Sequence, residues 1–206
     1  MALALAADCS GSVTPENYAL QQRGYAEAFR DHEIIEAIRS GPGGSIMVCY
    51  FQWSGYDAQQ MSIPWTLLNS RESIAHFASR LDEADRTIYS GGTAPAGAIA
   101  FGHKLLMNLP TKVARKVIDI SGDGRTNNGP PPEKDRDEAL ADGITINGLP
   151  ILHLEPDIED YYKNHLIGGP GAFIVPAVDF NAFGEAIRRK FMQEIAGRAP
   201  SSAVKS

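Results

Sequence analysis

The stretch Ala2-Leu-Ala-Leu-Ala-Ala-Asp-Cys-Ser-Gly-Ser12 decides the fold, because a short apolar run ends abruptly in a polar turn. The glycine and serine residues that stop the run favour a buried strand over a helix. Thr14 and Pro15 come next, and they suit the N-cap and the first position of a helix. A strand followed at once by a helix is the opening unit of an α/β sheet.

The rest of the chain continues this alternation of strands and helices. Its periodicity and turn residues predict helices at about 15–39, from Ser70 onward, 95–108, 133–142, 158–166 and 180–196. They predict further strands at 45–53, 58–65 (ending near Pro64), 112–121, 144–152 and 172–175. The turn at 54–57 makes the second and third strands antiparallel neighbours. The whole pattern predicts a mostly parallel sheet with helices on both faces.

Composition limits the kind of protein this sequence encodes. A chain of 206 residues with 43% apolar and 21% charged residues can bury one core, which excludes global disorder. We expect a single domain over residues 1–197 and a flexible tail over 198–206. The net charge of −6 argues against a nucleic-acid partner, which needs a basic surface. The apolar runs are far shorter than the ~20 residues of a transmembrane helix, so no membrane span is expected.

The two cysteines and the start of the chain give expectations about redox state and compartment. Cys9 and Cys49 lie in strand-like apolar surroundings, and we expect buried free thiols, with a bridge between adjacent strands left open. The start has neither a basic leader nor the apolar region of a signal peptide. The expected compartment is the cytoplasm if the chain is complete as written, and the periplasm or exterior if a signal was removed.

Three groups of polar residues fall where predicted strands end. Asp8, Ser10 and Ser12 follow the first strand, Thr93 lies in a glycine-rich loop before a helix, and Asp123 ends the fourth strand. Ligands of such open sheets bind at the carboxyl ends of the strands. We therefore expect these side chains, which all offer oxygen atoms, to meet at one edge.

The chemistry of these oxygens predicts a site for one divalent cation. An unpaired carboxylate such as Asp8 at a buried strand end is unfavourable without a cation or several hydrogen-bond donors. Carboxylate and hydroxyl oxygens suit Mg²⁺ best, with Mn²⁺ or Ca²⁺ as alternatives, and do not suit zinc. We expect the hydroxyls of Ser10, Ser12 and Thr93 to bind the ion directly while Asp8 and Asp123 hold its waters. One exchangeable position then remains for a carboxylate from outside.

Each of these residues has a simpler interpretation as well. Asp8 could cap the following helix, Ser10 and Ser12 could satisfy the turn, and Thr93 could be the N-cap of the helix at Pro95. Asp119 competes with Asp123, but its mid-strand position favours pairing with a lysine, an arginine or the backbone. At the same rim, Asn127 and Asn128 either contact a partner or merely stiffen a loop.

Asp8-Cys-Ser-Gly-Ser12, Gly91-Gly-Thr93 and Asp123-Gly124 resemble the metal-ion-dependent adhesion site of von Willebrand factor type A (vWA) domains. The resemblance covers about residues 2–196. Shorter motifs resemble an uncharacterised bacterial group of vWA-like proteins; they are Gln52-Trp-Ser-Gly55, Ile120-Ser-Gly-Asp-Gly124, Ile146-Asn-Gly-Leu149, and Tyr161-Tyr162 with Gly168-Gly-Pro-Gly-Ala-Phe173.

The resemblance implies a fold and a mode of binding. The fold is a Rossmann-like sheet of six strands in the order 3-2-1-4-5-6, with the third strand antiparallel. The function is metal-dependent binding of a protein that presents an Asp or Glu carboxylate, without catalysis.

Two other functions compete with this interpretation. A metal-dependent phosphohydrolase could use Asp8 or Ser10 as its nucleophile. The three polar groups contain no lysine to stabilise a transferring phosphoryl group, and no second acid stands two residues after Asp8. A structural domain with a vestigial site is the third alternative. The oxygen-rich set of side chains favours the binding module.

Overall fold

The computed structural model describes residues 1–196, and these form one central sheet with helices on both faces. Within them the strands are β1 (Ala2–Asp8), β2 (Ile46–Trp53), β3 (Gln59–Leu68), β4 (Lys116–Gly122) and β5 (Ile144–Pro150). Their order is β3-β2-β1-β4-β5, and β3 alone is antiparallel to its neighbour. The expected Rossmann-like α/β sheet is confirmed, with five strands in place of six. The expected tail at 198–206, like residue 197, lies outside the described residues.

The segment expected as a sixth strand forms only isolated bridges to β5. Gly148 N donates to Phe173 O at 3.1 Å, and Val175 N donates to Gly148 O at 3.0 Å. Ala177 N then donates to Pro150 O at 2.9 Å. Pro150 has no N–H group to donate between these bonds, so the pairing is divided into two isolated bridges, Gly148 with Ile174 and Ile151 with Ala177. The prediction of six strands was wrong for this reason.

The edge strand β3 runs past Pro64, where the sequence analysis expected it to end. Ile63 pairs with Tyr50 and Thr66 pairs with Val48, so the register shifts around the proline. A proline is tolerated at this place because β3 lies at the sheet edge and a bulge relieves the missing donor.

The helices are α1 (Pro15–Arg30), α2 (His32–Ser40), α3 (Arg71–Glu83), α4 (Pro95–Met107), α5 (Glu133–Ala141), α6 (Ile158–Tyr161) and α7 (Phe183–Ala196), with a π-helix at Tyr162–Leu166. The single helix expected over 15–39 is two helices. Asp31 has an extended backbone, ends α1, and caps α2 by accepting from Glu33 N and Ile34 N. None of the helices in the described part has the length and apolar character needed to cross a membrane.

Two apolar layers enclose the sheet, and β1 is buried along its whole length. Leu3 and Leu5 face the layer of α1, α2, α3 and α7, whereas Ala4 and Ala6 face the layer of α4, α5 and the π-helix. Cys9 belongs to the first layer and Cys49 to the second, and both are buried free thiols. Because the sheet separates them, the two cysteines do not pair.

Asp119 lies in the middle of β4, and its partner comes from α7. Lys190 Nζ lies 2.6 Å from Asp119 Oδ2 and 3.5 Å from Glu194 Oε2, and all three side chains are fully buried. Asn147 Nδ2 donates to the other carboxylate oxygen of Glu194 at 2.6 Å. The expected lysine partner of Asp119 is therefore present, and this residue is remote from the strand end.

Candidate metal centre

Asp8 is the last residue of β1, and its carboxylate is fully buried. Its Oδ1 accepts a hydrogen bond from Ser10 N at 2.7 Å, whereas its Oδ2 has no hydrogen-bond partner among residues 1–196. Burial, together with the nearby charge of Asp123, raises the pKa of Asp8 to about 7. The carboxylate bonds back to its own turn, so the simple helix-cap interpretation fails, and its second oxygen lacks a stabilising group.

A chain of oxygen atoms joins the turn after β1 to the end of β4. Ser10 Oγ lies 3.1 Å from Ser12 Oγ, and Ser12 Oγ donates to Asp123 Oδ1 at 2.7 Å. Asp123 follows β4 directly and is buried. Burial raises its pKa, and the hydrogen bond from Ser12 opposes that shift. Like Asp8, Asp123 keeps one buried oxygen, Oδ2, without a hydrogen-bond partner in the part of the chain described.

The glycine-rich loop before α4 brings Thr93 to the same place. Gly11 N donates to Gly91 O at 3.0 Å, which ties this loop to the turn after β1. Gly91 has a φ of +123°, a conformation that favours glycine. The N-cap position of α4 belongs to Ala94, so Thr93 is not the cap of this helix. Thr93 is instead buried beside the cleft.

These side chains line an open cleft of about 350 Å³ at the carboxyl edge of the sheet. Its lining residues are Gly11, Ser12, Gly91, Thr93, Asp123, Gly124, Asn127, Leu154 and Glu155. Ser10 and Asp8 lie directly behind Ser12, through the contacts given above. The lining offers hydroxyl, carboxylate and amide groups but neither imidazole nor thiol, so it fits a hard divalent cation.

The two asparagines at the rim hold loops in place. Asn127 Oδ1 accepts from Thr93 N at 2.7 Å, and Asn127 N donates to Thr93 O at 3.0 Å. Asn128 Oδ1 accepts from Tyr56 N at 2.9 Å. Both residues remain exposed to solvent. They therefore support the glycine-rich loop and the hairpin, and contact with a partner remains a prediction.

Two side chains that the sequence analysis missed hold the turn after β1 from behind. Arg86 Nη2 donates to Cys9 O at 3.0 Å and to Ser10 O at 3.4 Å. Gln21 Nε2 donates to Asp8 O at 3.0 Å. Arg86 lies far from the turn in sequence and follows no motif, so local spacing carries no signal for it.

Glu155 is a further carboxylate of the cleft that the sequence analysis missed. Its Oε2 pairs with Arg125 Nε at 2.6 Å, and Arg125 also pairs with Asp157. Arg125 lies over the ring of Tyr161, 5.7 Å from its centroid. The position of Glu155 shortly after β5 could have indicated that it lies at the cleft, because the residues after parallel strands gather at this edge.

Comparisons with solved structures identify the fold. The proximal thread matrix protein 1 of mussel byssus, in a structure with a zinc-occupied MIDAS motif, has a TM-score of 0.64 and 14% identity over 94% of this chain and 46% of its own. A vWA domain structure from Catenulispora acidiphila has a TM-score of 0.64 and 17% identity over 94% of this chain and 42% of its own. The pilus adhesin SpaC of Lactobacillus rhamnosus GG has a TM-score of 0.64 and 12% identity over 95% of this chain and 31% of its own.

This chain thus spans less than half the length of each of these three structures. No curated protein matches its sequence. A family model described as "Protein of unknown function (DUF1194)" matches residues 1–199. With its antiparallel edge strand and central parallel strands, the chain has a vWA-like fold and belongs to the DUF1194 family.

Proposed function

We propose that this domain is a protein-binding module that depends on a divalent cation. Asp8, Ser10, Ser12, Thr93 and Asp123 hold the ion, directly or through its waters, and a carboxylate from a partner protein completes its coordination. Mg²⁺ is the proposed ion, with Mn²⁺ and Ca²⁺ as alternatives. The zinc in the mussel structure makes zinc a fourth ion to test.

One observation carries the proposal. Two buried carboxylates, each with one oxygen that lacks a partner among the described residues, are joined by a bridge of serine hydroxyls at an open cleft. Neighbouring carboxylates repel each other and are stabilised by a cation between them. A cation is the group that would satisfy both.

The charge of the site supports capture of an acidic group. In the proposed arrangement the neutral hydroxyls of Ser10, Ser12 and Thr93 touch the ion, whereas the charged Asp8 and Asp123 act on it through waters. An ion held largely by neutral oxygens stays attractive to a further anion at an open position. The printed descriptions of an adhesin and a thread matrix protein among the similar structures agree with a role in protein contacts.

We propose binding without catalysis. The residues that line the cleft include no lysine or histidine. Arg125, which contacts the lining residue Glu155, is paired with two carboxylates. Beyond the residues that hold the ion, a phosphohydrolase needs a free cationic or acidic group near the transferred phosphoryl group. Steady, Asp8-dependent hydrolysis of p-nitrophenyl phosphate would refute this part of the proposal.

Calorimetric titration with each of the four ions tests the metal site. We expect the native domain to bind Mg²⁺ and Ser12→Ala to bind it at least about tenfold more weakly, because a ligand is lost. Ser79→Ala, which removes an exposed hydroxyl of α3 remote from the cleft, serves as the control and should bind as the native domain does. Equal affinity of the native domain and Ser12→Ala would contradict the proposed ligand set.

The partner's chemistry can be tested with a displayed library of random peptides. Peptides are captured by the immobilised domain in Mg²⁺ and eluted with EDTA. We expect every enriched sequence to contain Asp or Glu, and Ser12→Ala to enrich none. Metal-dependent enrichment of sequences without an acidic residue would refute carboxylate capture.

A further inference from the structure

Three buried polar atoms gather behind the cleft, and two of them belong to residues outside the proposed ligand set. Asp8 Oδ2, Trp53 Nε1 and the Tyr162 hydroxyl have no hydrogen-bond partner within residues 1–196, and all three side chains are fully buried. They belong to β1, β2 and the π-helix. Unsatisfied buried polar atoms are uncommon in folded proteins, so three in one place call for a common explanation.

The backbone of β4 shows how close these groups lie. A Cβ atom at Gly122 would lie 2.7 Å from Asp8 Oδ2, 2.9 Å from the Tyr162 hydroxyl and 3.0 Å from Trp53 Cζ2. The three side chains therefore surround one small space that glycine leaves free. Asp8 and Trp53 are also direct neighbours in the β1–β2 register, and so they project from the same face of the sheet.

The chain accommodates Tyr162 with two further features. A Cβ atom at Gly148 of β5 would lie 2.6 Å from Tyr162 Cδ1, so this glycine leaves room for the ring. The π-helix begins at Tyr162, whose carbonyl accepts from Ile167 N at 3.0 Å. π-Helical turns are rare and occur frequently at functional sites. Two glycines and an unusual helical turn thus place one hydroxyl group beside Asp8.

The chemical roles of the three groups are complementary. An indole N–H group can only donate, a phenol hydroxyl can donate, and an ionised carboxylate accepts. We infer that Trp53 and Tyr162 are positioning residues that hold Asp8 Oδ2 from inside the protein through one bridging water, and so orient the carboxylate for the cation. The inference rests on the proposed metal-binding function, to which it adds an inner set of supporting residues.

Metal titration of Tyr162→Phe tests the role in binding. Loss of a residue that orients a metal ligand commonly weakens metal binding about 10–100-fold, and we expect Mg²⁺ binding of this variant to fall by that factor. The matched control is Tyr50→Phe, the same change at an equally buried tyrosine in the opposite apolar layer. Affinities of Tyr162→Phe and Tyr50→Phe that agree within twofold would overturn the inference.

A double-mutant cycle in EDTA tests the water-bridged hydrogen bonds without any metal. The free energy of unfolding is measured for Asp8→Asn, Tyr162→Phe and the double variant. We expect the two effects to be non-additive, because the residues share one interaction, whereas Asp8→Asn and Tyr50→Phe should be additive. Additive effects for Asp8 and Tyr162 would overturn the inference even if Mg²⁺ binds. Absence of Mg²⁺ binding together with non-additivity would refute the proposed function alone.

The fluorescence of Trp53 gives a third readout. The chain has two tryptophans, so Trp65→Phe leaves Trp53 as the emitting residue. We expect Asp8→Asn in this background to shift the emission of Trp53, because the group that binds the bridging water beside its indole changes. Unchanged emission would remove Trp53 from the inference and leave Tyr162 to be judged by the cycle.

Discussion

At the scale of single residues, Asp8 combines a proposed role in metal binding with a penalty in stability. Its carboxylate is fully buried, and one of its oxygens lacks a partner among the described residues. Burial of a charge without full pairing opposes folding. Under the proposed function, such a residue is stabilising only when a cation balances its charge. Metal binding and the stability of the domain in EDTA are therefore expected to oppose each other.

This conflict predicts the effect of Asp8→Asn. In EDTA at pH 8, we expect the variant to be about 1–3 kcal/mol more stable than the native domain, because an uncompensated charge is removed. The same variant should lose Mg²⁺ binding. Urea unfolding measures the first effect and calorimetry the second.

Asp57→Asn, a change at an exposed carboxylate of the hairpin, should alter stability by less than about 0.5 kcal/mol and serves as the control. A destabilised Asp8→Asn variant would show that the charge of Asp8 supports the fold itself.

At the scale of elements, the docking of α7 depends on a buried ionic cluster. Lys190 enters the core from α7 and meets Asp119 of β4, while Glu194 completes the cluster. We expect Lys190→Met to destabilise the domain by about 3–5 kcal/mol, because two buried carboxylates lose their cation. Chemical denaturation measures this loss.

Lys134→Met, at a lysine whose side chain is 83% exposed, is the matched control, and we expect a change below about 0.5 kcal/mol. A triple variant that adds Asp119→Asn and Glu194→Gln to Lys190→Met neutralises the acids as well. It should recover part of the lost stability. A Lys190→Met variant that is as stable as Lys134→Met would contradict the assigned role of the cluster.

The elements also show what the sequence could and could not predict. Alternation of apolar runs with turn residues was enough for the sheet, its antiparallel edge and the helices, because those signals are local. The break at Asp31 was missed because the apolar pattern continues across it, although Asp31 is itself a good N-cap residue. The prediction of a sixth strand was wrong for a tertiary reason, because the proline that interrupts its pairing, Pro150, lies in the neighbouring strand.

The candidate site shows the same difference between residues with a local sequence signal and residues placed by the tertiary structure. Asp8, Ser10 and Ser12 lie within five residues of each other, and their spacing indicated a common target. Thr93 and Asp123 followed from their places at the ends of elements. Arg86 and Tyr162 contact the site from positions that no local pattern connects to it. The spacing of residues in the sequence therefore gave the proposed ligands but not the residues proposed to orient them.

At the scale of the whole molecule, the cation should act as a stabilising ligand of the folded domain. Binding at a free concentration one hundred times the dissociation constant stabilises a folded protein by about 2.7 kcal/mol. We expect Mg²⁺ at that ratio to raise the melting temperature of the native domain by several degrees relative to EDTA.

Ser12→Ala should lose no more than about 1–3 kcal/mol in EDTA, the cost of one hydrogen bond to Asp123, and should gain little from Mg²⁺ at the same concentration. Differential scanning calorimetry measures both values. A large loss of stability of Ser12→Ala in EDTA would indicate a structural role for the site.

The prolines of the two outermost strands have a consequence for self-association. Pro64 interrupts the backbone donors along β3, and Pro150 does so at the end of β5. Neighbouring molecules therefore find no long, regular row of free amides on which to add their own strands. We therefore expect copies of the domain to resist edge-to-edge strand pairing with one another.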